Sequence, residues 1–296
     1  MSIVGRQAHK STNHSRKSPR KTGRSSSYNR KKQSGFMRLF SRCPRWVMWL
    51  LGGGLALAYV LFLLQVVLHF SMPWKALYGD VPEPGGYQVR GIDISHYQRR
   101  INWEELRETK IQGHPVRFVI IKATEGSALF DETFNDNFHK AQQFGFIRGA
   151  YHFFLPAVDA AQQAHFFLRQ AHLLPGDLPP VLDIEKDNGK SIQDIQAGAR
   201  EWLRIVGNHY GVKPIIYTNY GFKLKYLNTP EFDSYPFWIA HYYKDELEYK
   251  GDWVMWQYTD CGKVGGIKGD VDCNVFNGSF DELVGLCITD EQYPVK

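Results

Sequence analysis

The sequence predicts an α/β fold: a single, partly degenerate (β/α)8-type barrel, preceded by a disordered basic tail and one transmembrane helix. Three observations predict it. Eight short β-rich apolar runs alternate with helical patterns between Val89 and Phe276. An uncharged stretch of 25 residues, Trp46 to Phe70, precedes them. The first 45 residues hold 13 Lys and Arg and no Asp or Glu.

The chain has 296 residues, 43% hydrophobic, 15% aromatic and 22% charged, with net charge +6. That composition excludes a disordered chain, and four Cys exclude a disulfide-built miniprotein. The charge belongs to the tail. Beyond residue 45 there are 23 basic and 30 acidic side chains, a net of −7. Residues 1–45 bury too little apolar surface to order themselves, so they read as a disordered cytoplasmic tail. A basic arm for nucleic acid or anionic lipid is the other reading. A topology signal beside a span is favoured, so no nucleic acid is expected.

Residues 46–70 exceed the roughly 20 apolar residues a bilayer-crossing helix needs. Trp46 and Trp49 stand where an interfacial belt would lie. The apolar run is too long for a signal-peptide core, and no Ala-x-Ala site follows Phe70. An uncleaved single-pass anchor is expected. Only Lys75 and Arg90 are basic in 71–90, so the N-terminus is expected in the cytoplasm and the rest outside, in the periplasm or at the cell surface. Residues 71–88 hold three Pro and three Gly and read as a linker. Residues 89–287 are the catalytic candidate domain, and 288–296 a C-terminal tail.

Within that domain the expected strands are Val89–Ser95, Arg117–Thr124, Arg148–Phe154, Pro180–Glu185, Pro214–Thr218, Phe237–Ala240, Val254–Tyr258 and Val271–Phe276. Phe134, Phe138 and Ala141 fit one helix, and Ala160 to Ala171 another. Ser191 caps a third, which ends at Gly211. Strands alternating with helices imply parallel pairing and a closed barrel. Connections after about Tyr235 are too short for full helices, so the last third is expected to be degenerate.

Carboxylates sit where these strands end. Asp93 lies in the first, Asp183 and Glu185 in the fourth, and Asp272 in the last. Alternation puts Asp183, Glu185 and Val181 on one face, with the two carboxylates projecting from points roughly 6.6 Å apart. First and last strands of a barrel are neighbours, which would bring Asp93 beside Asp272. Four such groups cannot all ionise easily, so one becomes a proton donor near neutral pH. That suits glycoside hydrolysis. Any one of these Asp residues alone would more simply cap a helix or form an ion pair. Their convergence favours catalysis. Aromatic residues cluster at the same strand ends, among them Tyr97, Tyr151, Tyr217, Trp238 and Tyr258. They suit a sugar groove, although about half must simply fill the core. Tyr151 and Tyr258 are the best groove candidates.

Gly91-Ile92-Asp93-Ile94-Ser95-His96-Tyr97-Gln98 resembles the opening motif of the family-25 glycoside hydrolases, lysozymes of the N-acetylmuramidase type. Ile121–Gly126, Arg148–Phe153, Pro180–Glu185, Phe237–Ala240, Trp256–Thr259 and Val271–Phe276 follow in the family's order. The resemblance covers nearly all of 89–287. It implies a flattened β/α barrel and cleavage of the β-1,4 bond between N-acetylmuramic acid and N-acetylglucosamine in peptidoglycan. It implies Glu185 as general acid, and Asp183 as the group that orients the 2-acetamido group or stabilises an oxazolinium-like species. Asp93 and Asp272 would support the charge balance, and Tyr151 would face the sugar, with Tyr217, Trp238 and Tyr258 as further substrate-binding candidates. Many relatives carry a cell-wall-binding repeat, and here a membrane anchor would supply proximity instead.

Other signals are bland. No paired-His metal spacing and no nucleotide-binding glycine motif is present, so no metal or cofactor is expected. A Cys261–Cys273 disulfide would clip the last two strands together, with free buried thiols as the alternative. The leading expectation is a membrane-anchored peptidoglycan hydrolase. A chitinase-like glycosidase and a catalytically silent glycan-binding protein are the competing readings.

Overall fold

The structure is a computed structural model that describes residues 44–71 and 83–292. The expected basic tail falls outside the described residues except for its last two, and so does most of the linker, residues 72–82. The chain forms two compact units, 1–69 and 70–296.

The first unit contains one described helix, α1 (Arg45–Ser71), covering the stretch expected to cross a membrane. From Trp46 to Gln65 it carries no charged residue, and Trp49, Leu55 and Phe62 are exposed. Over the described residues alone, no helix is long and apolar enough to cross a membrane.

The second unit is a closed eight-stranded barrel wrapped by helices. Its strands are β1 (Arg90–Ile94), β3 (His114–Glu125), β5 (Ile147–Phe153), β6 (Val181–Asp183), β7 (Ile215–Asn219), β8 (Phe237–Ala240), β9 (Met255–Gly262) and β10 (Val271–Phe276). Two short strands, β2 (Lys110–Ile111) and β4 (Leu129–Phe130), pair only with β3. Around the barrel the order is β1-β10-β9-β8-β7-β6-β5-β3, and β1 pairs β3 to close it.

Seven barrel strands run parallel, and β10 runs antiparallel to both neighbours. This corrects the expectation of parallel pairing throughout. Residues 263–270 are too few for a parallel crossover, which needs a dozen or more residues, so β10 has to turn back. The expected degeneracy is present. The connection from β7 to β8 holds only the short helices α6 (Tyr220–Tyr226) and α7 (Pro230–Asp233), and no helix joins β8 to β9.

Alternation builds two apolar layers. Phe118, Ile120, Val181, Ile215, Trp238, Met255 and Phe276 fill the barrel. Ile92, Val119, Ile121, Leu182, Ile216 and Ile239 face outward onto the helices. Gly91 makes room for the inner layer, because a Cβ there would stand 2.3 Å from the Phe118 ring. Outside lie α2 (Trp103–Glu108), α3 (Phe134–Gln143), α4 (Ala160–Gln170), α5 (Ile192–Tyr210) and α8 (Phe280–Leu286). The α5 sequence explains its span. Ser191 accepts the Asp194 N–H at 3.1 Å, Ile195, Ala199, Trp202, Leu203 and Val206 share the buried face, and Gly211 ends it at φ 67°. Each large side chain buried this fully contributes on the order of 2–3 kcal/mol.

The expected Cys261–Cys273 disulfide is not formed. Cys273 carries a free, buried thiol that donates to the Val271 carbonyl at 3.7 Å. Its partners across the ladder are Thr259 and the backbone beside Gly262, whereas Cys261 Sγ lies 3.3 Å from Thr259 Oγ1. Cys273 belongs to the outer apolar layer, and strand alternation turns the two sulfurs to different sides. At the other end of the domain, Ile288 exchanges backbone hydrogen bonds with Gly176 and Asp177. The described part of the C-terminal tail therefore begins pinned to the barrel.

Candidate active site

The carboxylates meet where the parallel strands end. A cavity of about 260 Å³ is lined by Asp93, Asp183, Glu185 and Asp272, together with Lys122, Tyr151, Phe153, Tyr217, Trp238, Tyr242 and Gln257. Asp93 is the fourth residue of β1, and Asp183 the last of β6. Glu185 follows two residues later. The Ile184 N–H donates to the Tyr217 carbonyl at 2.9 Å, which keeps the chain extended and Glu185 on the face of Asp183. Asp272 is the second residue of β10, and reversal of that strand brings its beginning to the mouth.

Asp93 is the hub. Its Oδ2 accepts from Gln257 Nε2 at 2.7 Å and from Asn274 Nδ2 at 2.8 Å. Each amide is itself fixed. Tyr217 and Tyr242 both donate to Gln257 Oε1, at 2.6 and 2.7 Å. Trp238 Nε1 donates to Asn274 Oδ1 at 2.8 Å. Neither amide can flip without losing these bonds, so both present N–H groups to Asp93. Asp93 and Asp272 also hydrogen-bond each other. Burial raises the pKa of both, and Asp93's charge raises that of Asp272 further. The pair therefore retains a proton at neutral pH.

Asp183 and Glu185 are raised as well. Burial acts first on Asp183, then the charge of Glu185, while Lys122 opposes both. Burial raises Glu185, and Lys186 opposes it. Asp183 Oδ1 is buried with no hydrogen-bond partner within the protein. An orphaned acceptor in a cavity is a place for a ligand's donor. Lys122 Nζ is bound to Glu125 Oε2 at 2.6 Å.

The aromatic candidates divide. Tyr151 lines the cavity, and burial followed by the nearby Asp charges keeps its phenol protonated. Tyr217 and Trp238 line it too, but their polar atoms are committed to Gln257 and Asn274. Tyr258 does not line it. It is 1% exposed and packs with Trp256 in the outer layer, ring centroids 6.2 Å apart. The inward positions of β9 are Met255 and Gln257, so Tyr258 points outward. Tyr97, 77% exposed, stands at the rim. Its short 3-10 turn, His96–Gln98, is boxed by Ser95 and Gln98 and tied down by Asp131, which accepts the His96 N–H at 2.9 Å. Asp131, Gln257, Asn274 and Lys122 are site residues to which the sequence reasoning gave no role, whereas Tyr242 belongs to the aromatic cluster expected at the strand ends. Among the described residues no group of His, Cys, Asp or Glu is placed to hold a metal ion.

A profile of the glycosyl hydrolases family 25 matches residues 92–267, more than half of the chain. The chain belongs to glycosyl hydrolase family 25. This family-25 enzyme is 41% identical over 201 residues to the uncharacterised Escherichia coli protein YegX, covering 68% of this chain and 74% of that one. It is 35% identical over 217 residues to Lysozyme M1 of Streptomyces globisporus, covering 67% and 71%. The solved structure of a bacterial lysozyme from Streptomyces coelicolor superposes with a TM-score of 0.62 at 33% identity, covering 67% of this chain and 96% of that one. The enzyme is thus a glycoside hydrolase, and Asp93, Asp183 and Glu185 of the carboxylate cavity lie within its matched segment, with Asp272 just beyond it.

Proposed function

We propose that this family-25 hydrolase cleaves the β-1,4 bond between N-acetylmuramic acid and N-acetylglucosamine in peptidoglycan, and that α1 anchors it to a membrane. The observation that carries the cleavage is the meeting of Asp93, Asp183, Glu185 and Asp272 in one cavity. The names of its lysozyme relatives support the substrate class.

Glu185 is the general acid. It stands at the outer end of the pair, and burial favours its protonated form. Burial and the charge of Glu185 make Asp183 hold a proton more firmly than an ordinary carboxyl does. A 2-acetamido N–H arriving at the unpartnered Asp183 Oδ1 would favour its charged form and leave the proton to Glu185. Glu185 then protonates the leaving glycosidic oxygen, and charged Asp183 faces the positive charge developing at the anomeric carbon. The Asp93–Asp272 pair, with one proton between them, limits the total negative charge beside Asp183.

Anchoring rests on the uncharged, apolar length of α1 and on the basic residues ahead of it. It puts the N-terminus in the cytoplasm and the barrel on the outer side, where peptidoglycan is. The deciding experiment is digestion of purified peptidoglycan by the purified chain, with mass analysis of the new reducing ends. New muramic acid reducing ends are expected. Chitin turnover without peptidoglycan turnover would overturn the substrate, and binding without any new reducing ends would overturn catalysis.

A further inference from the structure

Four carboxylates in one cavity pose a problem for a substrate that is itself an anion. Peptidoglycan carries carboxylates that chitin lacks, on the lactyl ether of muramic acid when free and along the peptide stem. Each would be repelled by the ionised members of the cavity. Only one cation, Lys122, lines it. That ammonium is already engaged with Glu125 at 2.6 Å, with a side chain only 10% exposed. A second stands directly outside. Lys186 follows Glu185 in sequence, is exposed, and holds its Nζ 4.9 Å from the centroid of the Phe153 ring. Lys122 Nζ sits 5.1 Å from the centroid of the same ring. Phe153 thus marks the edge where the cavity meets two positive charges, one neutralised and one not. Among the described residues no carboxylate forms an ion pair with Lys186. The next residue, Asp187, leads into a turn, and its Oδ2 accepts from the Tyr226 hydroxyl at 2.5 Å. This bond fixes the loop that carries Lys186.

We propose that Lys186 is a specificity-determining residue whose ammonium receives a substrate carboxylate, from either the lactyl group or the peptide stem of the muramic unit. The inference rests on the peptidoglycan reading above. Lys186 offsets repulsion that a neutral chitin chain never meets, so it discriminates between glycans of the same backbone. A charge at a solvent-exposed rim acts chiefly on binding and is weakened by salt.

The test compares the full chain with Lys186→Gln and Lys186→Arg on peptidoglycan bearing its stems and on the same strands stripped by an amidase. A chitin oligosaccharide serves as uncharged competitor. Lys186→Gln should raise KM roughly two- to fivefold on at least one of the two carboxylate-bearing substrates, as expected for an exposed charge pair. The rise should shrink in high salt. Lys186→Arg should keep the parental KM, and the inhibition constant of the chitin oligosaccharide should not move. A rise confined to stem-bearing strands assigns the carboxylate to the stem, and a rise confined to stripped strands assigns it to the lactyl group. Unchanged KM on both, equal weakening of the chitin oligosaccharide, or failure of Arg to substitute would overturn the proposal. Absence of new reducing ends from the parental chain would instead bring down the hydrolase reading.

Discussion

Asp93 and Asp272 lie directly opposite each other across the antiparallel pair β1 and β10 and share a hydrogen bond. Two carboxyls so close and so buried hold their protons in common, and the pair loses them in two steps, at about 6 and about 9.

The first prediction concerns stability against pH. Both folded-state values lie above those of the unfolded chain. Well below the unfolded value, under about pH 3, the groups are mostly neutral folded or unfolded, so the penalty is absent. As pH rises toward 9 the unfolded chain releases protons that the folded one keeps, so stability falls, by about 1.4 kcal/mol per unit of separation at its limit. Asp272→Asn should flatten the fall in Tm between pH 5 and pH 9. Parallel Tm curves for parent and variant would show that the pair does not share a proton.

The second separates Glu185 from Asp183. Glu185→Gln removes the proton donor, so kcat/KM on peptidoglycan should fall by about 10²–10⁴. An activated aryl glycoside leaves without protonation and should be far less affected. Asp183→Asn should lose heavily on both, because it removes charge at the anomeric centre. Equal loss of Glu185→Gln on both substrates would refute the acid assignment, and rescue of Asp183→Asn alone by the better leaving group would swap the roles.

The third tests the support of Asp93. Trp238→Phe keeps an aromatic ring in the barrel and deletes the donor to Asn274. One lost neutral hydrogen bond is worth about 1 kcal/mol, so kcat/KM should fall roughly fivefold or more if Asn274 turns. Asn274→Leu should lose more. If Trp238→Phe matches the parent in activity, Asn274 does not need that bond.

Thiol chemistry supplies a fourth. Burial pushes the Cys273 thiol up to about 12 and Cys287 up to about 11. In the native enzyme both should resist iodoacetamide at pH 8, and both should label after denaturation without reductant. Cys273 that labels only after reduction would establish the disulfide that the structure lacks.

Much of this was legible in the sequence, and the failures are local. All eight barrel strands fall where β-rich runs end in turns, because each is buried on both faces and needs an apolar run. The carboxylates were readable because Asp and Glu rarely sit on such strands unless they serve a purpose. Tyr258 was misplaced although the signal existed. It shares parity with Trp256, whereas Gln257 shares parity with Met255. The direction of β10 was likewise encoded in the eight residues of its connection. The partnership of Trp238 with Asn274 was not legible. It joins residues 36 positions apart through the closure of a ring, and no local pattern carries it. Asp131 is similar, since it reaches the opening motif from the far side of β3.

The fifth prediction concerns location. A reporter fused after Lys296 should be active only if it works outside the cytoplasm, and the protein should sediment with membranes. Cytoplasmic reporter activity would overturn the anchored topology.

The seam of the barrel joins the first strand to the last, and the site straddles it. Asp93 emerges early in synthesis, yet the residues that hold it, Gln257 and Asn274, lie 164 and 181 positions later. No fragment lacking β10 can assemble the cavity, and contacts so distant along the chain close slowly. A chain whose synthesis is unfinished is therefore inert. Activity switches on only once the final strand is in place, a delay that keeps a wall-degrading enzyme silent until it is whole.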